Sequence, residues 1–289
     1  QGKMDEAIET YKKAILLKAD YAEAYNNMGV IFHGQGKMDE AIETYKKAIL
    51  LNPDYADAYN NMGVIFQDQG KLSEAVENYK KFISLEPDYA EAYYNMGVIF
   101  QDQGKLNEAI EYYDKALILK PDYADAYNNV GVTLQSQNKF ETAIEAFNKA
   151  LSIKPDYADA YNNMGNALKE EGKLDEAIQA YDKAISLNPN YAKAYSNKGP
   201  TLQNQGKLDE AIEAYNKAIS LDPDYAEAHK NLSFSLLNSG RLEKGLNENE
   251  WRWKTNQLIL KQRHFSQPLW DGKQSLNSKR ILLWCEQGV

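Results

Sequence analysis

Cysteine is almost missing from this chain. Cys285 is the only one among 289 residues, so no internal disulfide can form, and a reducing, cytoplasmic setting is expected. Histidine is scarce too. His33, His229 and His264 are scattered without the spacing of a metal site, so no metal and no cofactor are expected. Basic charge is in deficit, with Lys+Arg 33 against Asp+Glu 42 and a formal net charge of -9, which argues against nucleic acid as a partner. No apolar run approaches the roughly 20 residues that cross a bilayer, so no membrane span is expected. A phosphate loop, a paired-carboxylate site and a Ser/His/Asp arrangement are all lacking, and no catalytic residue is assigned. The chain opens at Gln1 without Met or a signal-like segment and reads as an excerpt whose targeting is not legible.

Proline is sparse, with 8 in all, and its placing is regular. Pro53, Pro87, Pro121, Pro155, Pro189 and Pro223 stand 34 residues apart. The segment Asp-Tyr-Ala-Asp-Ala-Tyr-Asn-Asn-Met-Gly at 54–63 returns at 156–165, with variants starting at Asp20, Asp88, Asp122, Asn190 and Asp224. A period in this range denotes a solenoid of stacked supersecondary units. With Ala22 as position 1, six full repeats start at Ala22, Ala56, Ala90, Ala124, Ala158 and Ala192, spanning 22–225. A half repeat (1–21) precedes them and a degenerate capping repeat (226–259) follows. The solenoid thus covers 1–259.

Within a unit the apolar residues fall at helical spacing, as in Tyr59, Met62, Gly63 and Phe66, then Leu72, Ala75, Val76, Tyr79, Phe82 and Ile83. Each unit is a helical hairpin and the fold class is all-α. Gly36, Gly70, Gly104, Gly172, Gly206 and Gly240 sit where the first helix needs a left-handed residue, with Asn138 as the tolerated substitute. The prolines end the second helix. Asp54 is expected to cap the next first helix, with Asp57 completing a near capping box. Second helices begin acidic (Asp39, Glu40) and are expected to end basic (Lys46, Lys47). Glu43–Lys47 and Glu111–Lys115 are i,i+4 pairs. Small residues at Gly63 and Ala75 allow close helix approach.

Tyr59, Met62-Gly63, Phe66, Ala75, Tyr79, Phe82 and Pro87 resemble the pattern of the tetratricopeptide repeat (TPR) family over about 1–255. That resemblance implies a right-handed TPR superhelix, an α-solenoid whose first helices line a concave groove for extended peptides or helices. In the family, positions 2, 5, 6, 9, 12 and 13 face inward. Position 6 is always Asn here: Asn27, Asn61, Asn95, Asn129, Asn163, Asn197 and Asn231. Position 5 reads Asn26, Asn60, Tyr94, Asn128, Asn162, Ser196 and Lys230. Position 12 includes Gln67, Gln101 and Gln135.

Asn costs a helix about 0.5 kcal/mol against Ala, so seven copies at one site ask for a reason. A side-chain amide donates and accepts, and a ladder of amides can pair with the main chain of an extended peptide regardless of its sequence. The alternatives are a residue copied by duplication and an inter-repeat structural bond. The ladder is similar to that of O-linked N-acetylglucosamine transferases. The chaperone clamp that grips a C-terminal carboxylate fits less well, because it needs Lys and Arg where Glu23, Asp57, Glu91, Asp125, Asp159 and Glu227 stand here. Those acids also suit helix N-termini. A neutral or mildly basic ligand segment is expected.

Lys198 and Pro200 depart from the pattern of the sixth unit, and Pro200 predicts a kink. The 21 tyrosines fall mostly at positions 4, 24 and 34 as packing residues, and His229 takes the place of a position-4 tyrosine. Beyond residue 240 the pattern decays, with Gly245, Asn249 and Arg252 at former Ala, Tyr and Ala sites. Residues 260–279 read as a linker and 280–289 as the first strand and turn of a truncated α/β, Rossmann-like domain. Glu250-Trp-Arg-Trp, Phe265 to Gly272 and Ile281 to Gly288 resemble the junction in bacterial TPR glycosyltransferases. This implies a scaffold that recruits protein substrate to an attached nucleotide-sugar-dependent transferase. The alternative is a general TPR adaptor for multiprotein assembly with no attached enzyme. Self-association through uncapped solenoid ends is a further expectation.

Overall fold

The computed structural model describes residues 2–249 and 251. Among these residues the chain is helical and contains no strand. A leading helix, α1 (Gly2–Leu17), is followed by hairpins whose first helices are α2 (Ala22–Gly34), α4 (Ala56–Asp68), α6 (Ala90–Asp102), α8 (Ala124–Ser136), α10 (Ala158–Glu170), α12 (Ala192–Asn204) and α14 (Ala226–Asn238). The second helices are α3 (Met38–Leu51), α5 (Leu72–Leu85), α7 (Leu106–Leu119), α9 (Phe140–Ile153), α11 (Leu174–Leu187), α13 (Leu208–Leu221) and α15 (Leu242–Asn249). No helix among the described residues is long and apolar enough to cross a membrane. The linker and α/β segment at 260–289, with His264 and Cys285, lie outside the described residues.

Each first helix ends in a Schellman motif. Gly36 adopts φ 75°, its N–H donates to the His33 carbonyl at 2.9 Å, and the Lys37 N–H reaches the Phe32 carbonyl at 2.9 Å. Asn138 takes the same left-handed role at φ 59°. The Lys37 ammonium lies 5.8 Å from the Phe32 ring centre, closing the turn.

Other terminal expectations are corrected. Asp54 does not cap α4: the N-cap is Tyr55, without a side-chain cap bond, while the Asp54 N–H binds the Asn52 side-chain oxygen at 3.2 Å. The tight turn between repeats places Asp54 one residue too early. Lys46 and Lys47 likewise miss the last turn of α3, because that helix continues to Leu51. Lys47 still pairs with Glu43 at 2.8 Å on the exposed face, where water screens the contact and leaves it little weight in stability. Lys115 instead lies 4.9 Å from the Tyr112 ring centre. Helix α12 runs unbroken past Pro200.

Within a hairpin the two helices are locked by one steric fit. A Cβ on Gly63 would lie 2.9 Å from the Tyr79 ring, and one on Gly165 2.7 Å from the Tyr181 ring. Tyr45, Tyr79, Tyr113, Phe147, Tyr181 and Tyr215 are fully buried beneath these glycines. The last hairpin changes both halves of the fit. Asn249 replaces the tyrosine and Ser233 the glycine, and the Ser233 hydroxyl donates to the Gly245 carbonyl at 2.7 Å. Gly245 is itself pressed by Leu237. His229 packs as expected of a tyrosine substitute: it is buried, Nε2 lies 3.0 Å from the Pro223 carbonyl and Nδ1 2.5 Å from Glu248. Its ring stacks on Trp251 at 3.8 Å.

Candidate binding groove

First helices touch first helices: α2 meets α4, α6 meets α8, and α8, α10, α12 and α14 follow in line. Among the described residues no pair of second helices is comparably close. The layer with the closer spacing lies inside the curve, so the first helices form the concave wall. Position 9 opens on it, with Val30 at 48% and Phe234 at 60% exposure.

The position-6 asparagines Asn27, Asn61, Asn95, Asn129, Asn163, Asn197 and Asn231 are all half-buried. Their neighbours Asn26, Asn128 and Asn162 are buried, and Asn60 and Tyr94 half-buried. These side chains are not independent. Three ladder amides reach back to an amide at position 5 of the preceding repeat: Asn61 Nδ2 donates to Asn26 Oδ1 at 3.2 Å, Asn163 to Asn128 at 3.1 Å, and Asn197 to Asn162 at 3.0 Å. Within a repeat the direction continues, as Asn128 Nδ2 approaches Asn129 Oδ1 at 3.3 Å and Asn162 Nδ2 approaches Asn163 Oδ1 at 3.4 Å. The result is a relay from Asn197 through Asn162, Asn163 and Asn128 to Asn129. It ends on Tyr94, whose hydroxyl receives Asn129 Nδ2 at 3.0 Å.

A second tier lies just beneath. The hydroxyls of the locking tyrosines donate to position 12: Tyr79 to Gln67 at 3.1 Å, Tyr113 to Gln101 at 2.7 Å and Tyr215 to Gln203 at 3.1 Å. Asn95 Nδ2 meets the Tyr79 hydroxyl at 3.3 Å. The half-buried Gln135 has no such partner because its repeat carries Phe147. Tyr45 faces His33 in place of Gln, and its buried hydroxyl has no hydrogen-bond partner. Desolvation alone pushes its pKa up to about 12. Sequence reading missed these ties. The only signal for them was the pairing of Gln at position 12 with Tyr at position 24.

The acids of position 2 line one edge. Asp159 accepts the Tyr191 hydroxyl at 2.5 Å, and Glu91 pairs with Lys120 at 2.9 Å, which holds its carboxyl below the usual range. Tyr94 joins the inner wall to this edge, with its ring 4.9 Å from Tyr123 and 5.8 Å from Tyr113. Burial pushes the Tyr94 and Tyr123 phenols up, and the carboxylate of Asp125 adds to the shift in both. Among the described residues no group of His, Cys, Asp and Glu could hold a metal ion.

A family model described as TPR repeat matches residues 1–36, 31–70, 65–104, 165–206 and 204–240, and two described as tetratricopeptide repeat match 88–156 and 146–179. Comparison with curated proteins gave no match. Among solved structures the chain is similar to YrrB, described as a TPR protein with an unusual peptide-binding site. The two are 26% identical over 70% of this chain and 100% of that one, with a TM-score of 0.55. MamA is 30% identical over 60% of this chain and 94% of its own, with a TM-score of 0.53. A tetratricopeptide repeat protein from Parabacteroides merdae shares the fold at a TM-score of 0.68 and 20% identity, over 83% of this chain and 96% of that one. With its period, its hairpins and the greater part of its length matched, the chain belongs to the tetratricopeptide repeat family.

Proposed function

We propose that this chain is an interaction scaffold that holds an extended protein or peptide segment along its concave wall. The carrying observation is the relay itself. Asn163 uses one N–H on Asn128 and one lone pair on Asn162, which leaves one donor and one acceptor for a ligand main chain. A side chain fixed in this way loses little rotamer freedom on binding. The likeness to YrrB, described as having a peptide-binding site, supports the same reading. The acidic edge favours a protein partner over nucleic acid.

The test compares binding of unrelated extended peptides by the wild type and by the triple variant Asn95→Ala, Asn129→Ala, Asn163→Ala, with thermal melting run alongside. Loss of binding to most peptides while the variant remains folded is the expected result. A lower melting temperature with unchanged affinities would reduce the ladder to an inter-repeat structural bond. The tail residues Ile281 to Gly288 favour a second, larger role in which the scaffold recruits substrate to a nucleotide-sugar-dependent transferase. Sugar transfer to a groove-bound peptide by the protein containing this chain would be the assay, and its absence would leave a general adaptor.

A further inference from the structure

One joint of the inner wall is set wider than the rest. Successive first helices pack on one another along the solenoid, and α4 and α6 are the one successive pair that does not come into comparable contact. The cause lies in α5. Three residues beyond the locking ring, the other full repeats carry a fully buried alanine: Ala48, Ala116, Ala150, Ala184 and Ala218. Repeat 2 carries Phe82 there. Its ring is buried, shares one apolar cluster with Ala92, Met96 and Ile99 of α6, and meets Tyr89 edge-on at 5.2 Å. In a close-packed interior a ring needs more room than a methyl, and the neighbouring helix stands back to supply it.

The wider joint breaks the asparagine relay. Asn95 stands to Asn60 as Asn61 does to Asn26, yet it donates to the Tyr79 hydroxyl. Of the four asparagines at position 5, Asn26, Asn128 and Asn162 are buried, and each accepts from an amide of the next repeat. Asn60 is half-buried, and its side chain makes no hydrogen bond among the described residues. Tyr94 does not fill the gap. It is turned toward repeat 4, with its hydroxyl on Asn129 and its ring against Tyr123.

We propose that this break is the anchoring point of the groove. Asn60 pairs with both the N–H and the C=O of one residue of an extended peptide, and the relayed asparagines farther along serve as weaker, preset contacts. An uncommitted amide offers two donors and a free acceptor oxygen, whereas Asn163 has already spent an N–H and a lone pair on its neighbours. The set-back of α6 gives a main chain room to approach. The ligand residue held here must carry an N–H, which excludes proline at that point. This inference rests on the groove reading and names its primary contact.

A labelled peptide of mixed Ser, Val and Lys sequence tests it, with its main-chain N–H groups methylated one at a time and affinities read by fluorescence anisotropy. For the wild type, methylation at one position should lower affinity about tenfold, the worth of one or two hydrogen bonds. Asn60→Ala should weaken the unmodified peptide by about as much, leave the melting temperature unchanged, and make that position indifferent to methylation, since the two changes remove the same contact. Asn163→Ala should cost about threefold or less. Unchanged affinity in Asn60→Ala, or a methylation effect that survives in it, would overturn the anchor. The groove reading would still stand if the triple variant Asn95→Ala, Asn129→Ala, Asn163→Ala loses the peptide. Equal binding by the wild type and both variants, or binding by none of the three, would overturn the groove reading and this inference with it.

Discussion

Between repeats 4, 5 and 6 the first helices are tied by Asn163 to Asn128 and by Asn197 to Asn162. Between repeats 2 and 3, Asn95 donates to the Tyr79 hydroxyl at 3.3 Å instead of to Asn60, and Tyr94 stands where Asn would continue the row. Both joints nevertheless share the steric lock, with Gly63 on Tyr79 and Gly165 on Tyr181. Shape fixes the hairpin, and polar side chains add ties between hairpins to the apolar packing that also joins them. The first kind of contact recurs through all six full repeats, with Phe147 the one change of ring, whereas the second admits substitutes because an amide finds several partners of similar geometry.

The largest effect that can probe this division is alkaline. Burial raises the phenol pKa of Tyr79, Tyr113, Tyr181 and Tyr215, and carries Tyr45 to about 12 from the ordinary 10.0. A phenol with a raised folded pKa keeps its proton after the unfolded chain has lost its own. Stability is therefore full below pH 10 and falls as pH rises through 10 to 12 and beyond. Tyrosinate absorbance and circular dichroism recorded together should rise and collapse in one transition at both joints. Smooth ionisation without loss of helix would show that the locking rings are less enclosed than they look.

Next comes the lock itself. Gly63→Ala and Gly165→Ala each force a methyl into a fully buried ring and should cost about 1–3 kcal/mol, as seen in chemical denaturation. Similar losses at the two sites would confirm that the joints differ only in their polar layer. A large loss at one alone would break the comparison.

The polar layer is tested by Asn128→Ala against Asn60→Ala. Asn128 is buried and both accepts from Asn163 and approaches Asn129, so its loss strands a partner amide and should cost about 1–2 kcal/mol. Asn60 is half-buried and is not the acceptor that Asn95 chooses. Its loss should fall within about 0.5 kcal/mol, as for surface changes away from such networks. Equal costs would remove the distinction between the joints. The smallest effect is expected at Asn138→Gly. The backbone there already sits at φ 59°, so the melting temperature should barely move, since Asn tolerates that conformation nearly as well as Gly. Gly104→Ala at φ 72° should cost about 1 kcal/mol by contrast.

The hairpins could be read from the sequence because their causes are local. Gly36 and Asn138 mark left-handed turns, the prolines stop second helices, and the small residues Gly63 and Ala75 announce a close approach. The asparagines could be found by position but not by partner. Asn129 and Asn163 look alike in sequence, yet one donates to Tyr94 and the other to Asn128. Two expectations failed at helix ends: Asp54 is not a cap because the turn between repeats sets which residue precedes α4 and Asn52 claims the Asp54 N–H instead, and Lys46 and Lys47 fall short of the last turn because α3 runs on to Leu51.

By itself, then, the sequence determined the repeat, its period, its helical hairpins and the row of asparagines, since helix periodicity, turn residues and apolar spacing act over a few neighbours. Only the tertiary structure decided what those asparagines touch, that the first helices form the inner wall, and that Tyr45 is left with a lone hydroxyl where His33 replaces Gln. Those outcomes depend on side chains 12 to 35 residues apart, and stacking alone brings such residues within hydrogen-bonding distance.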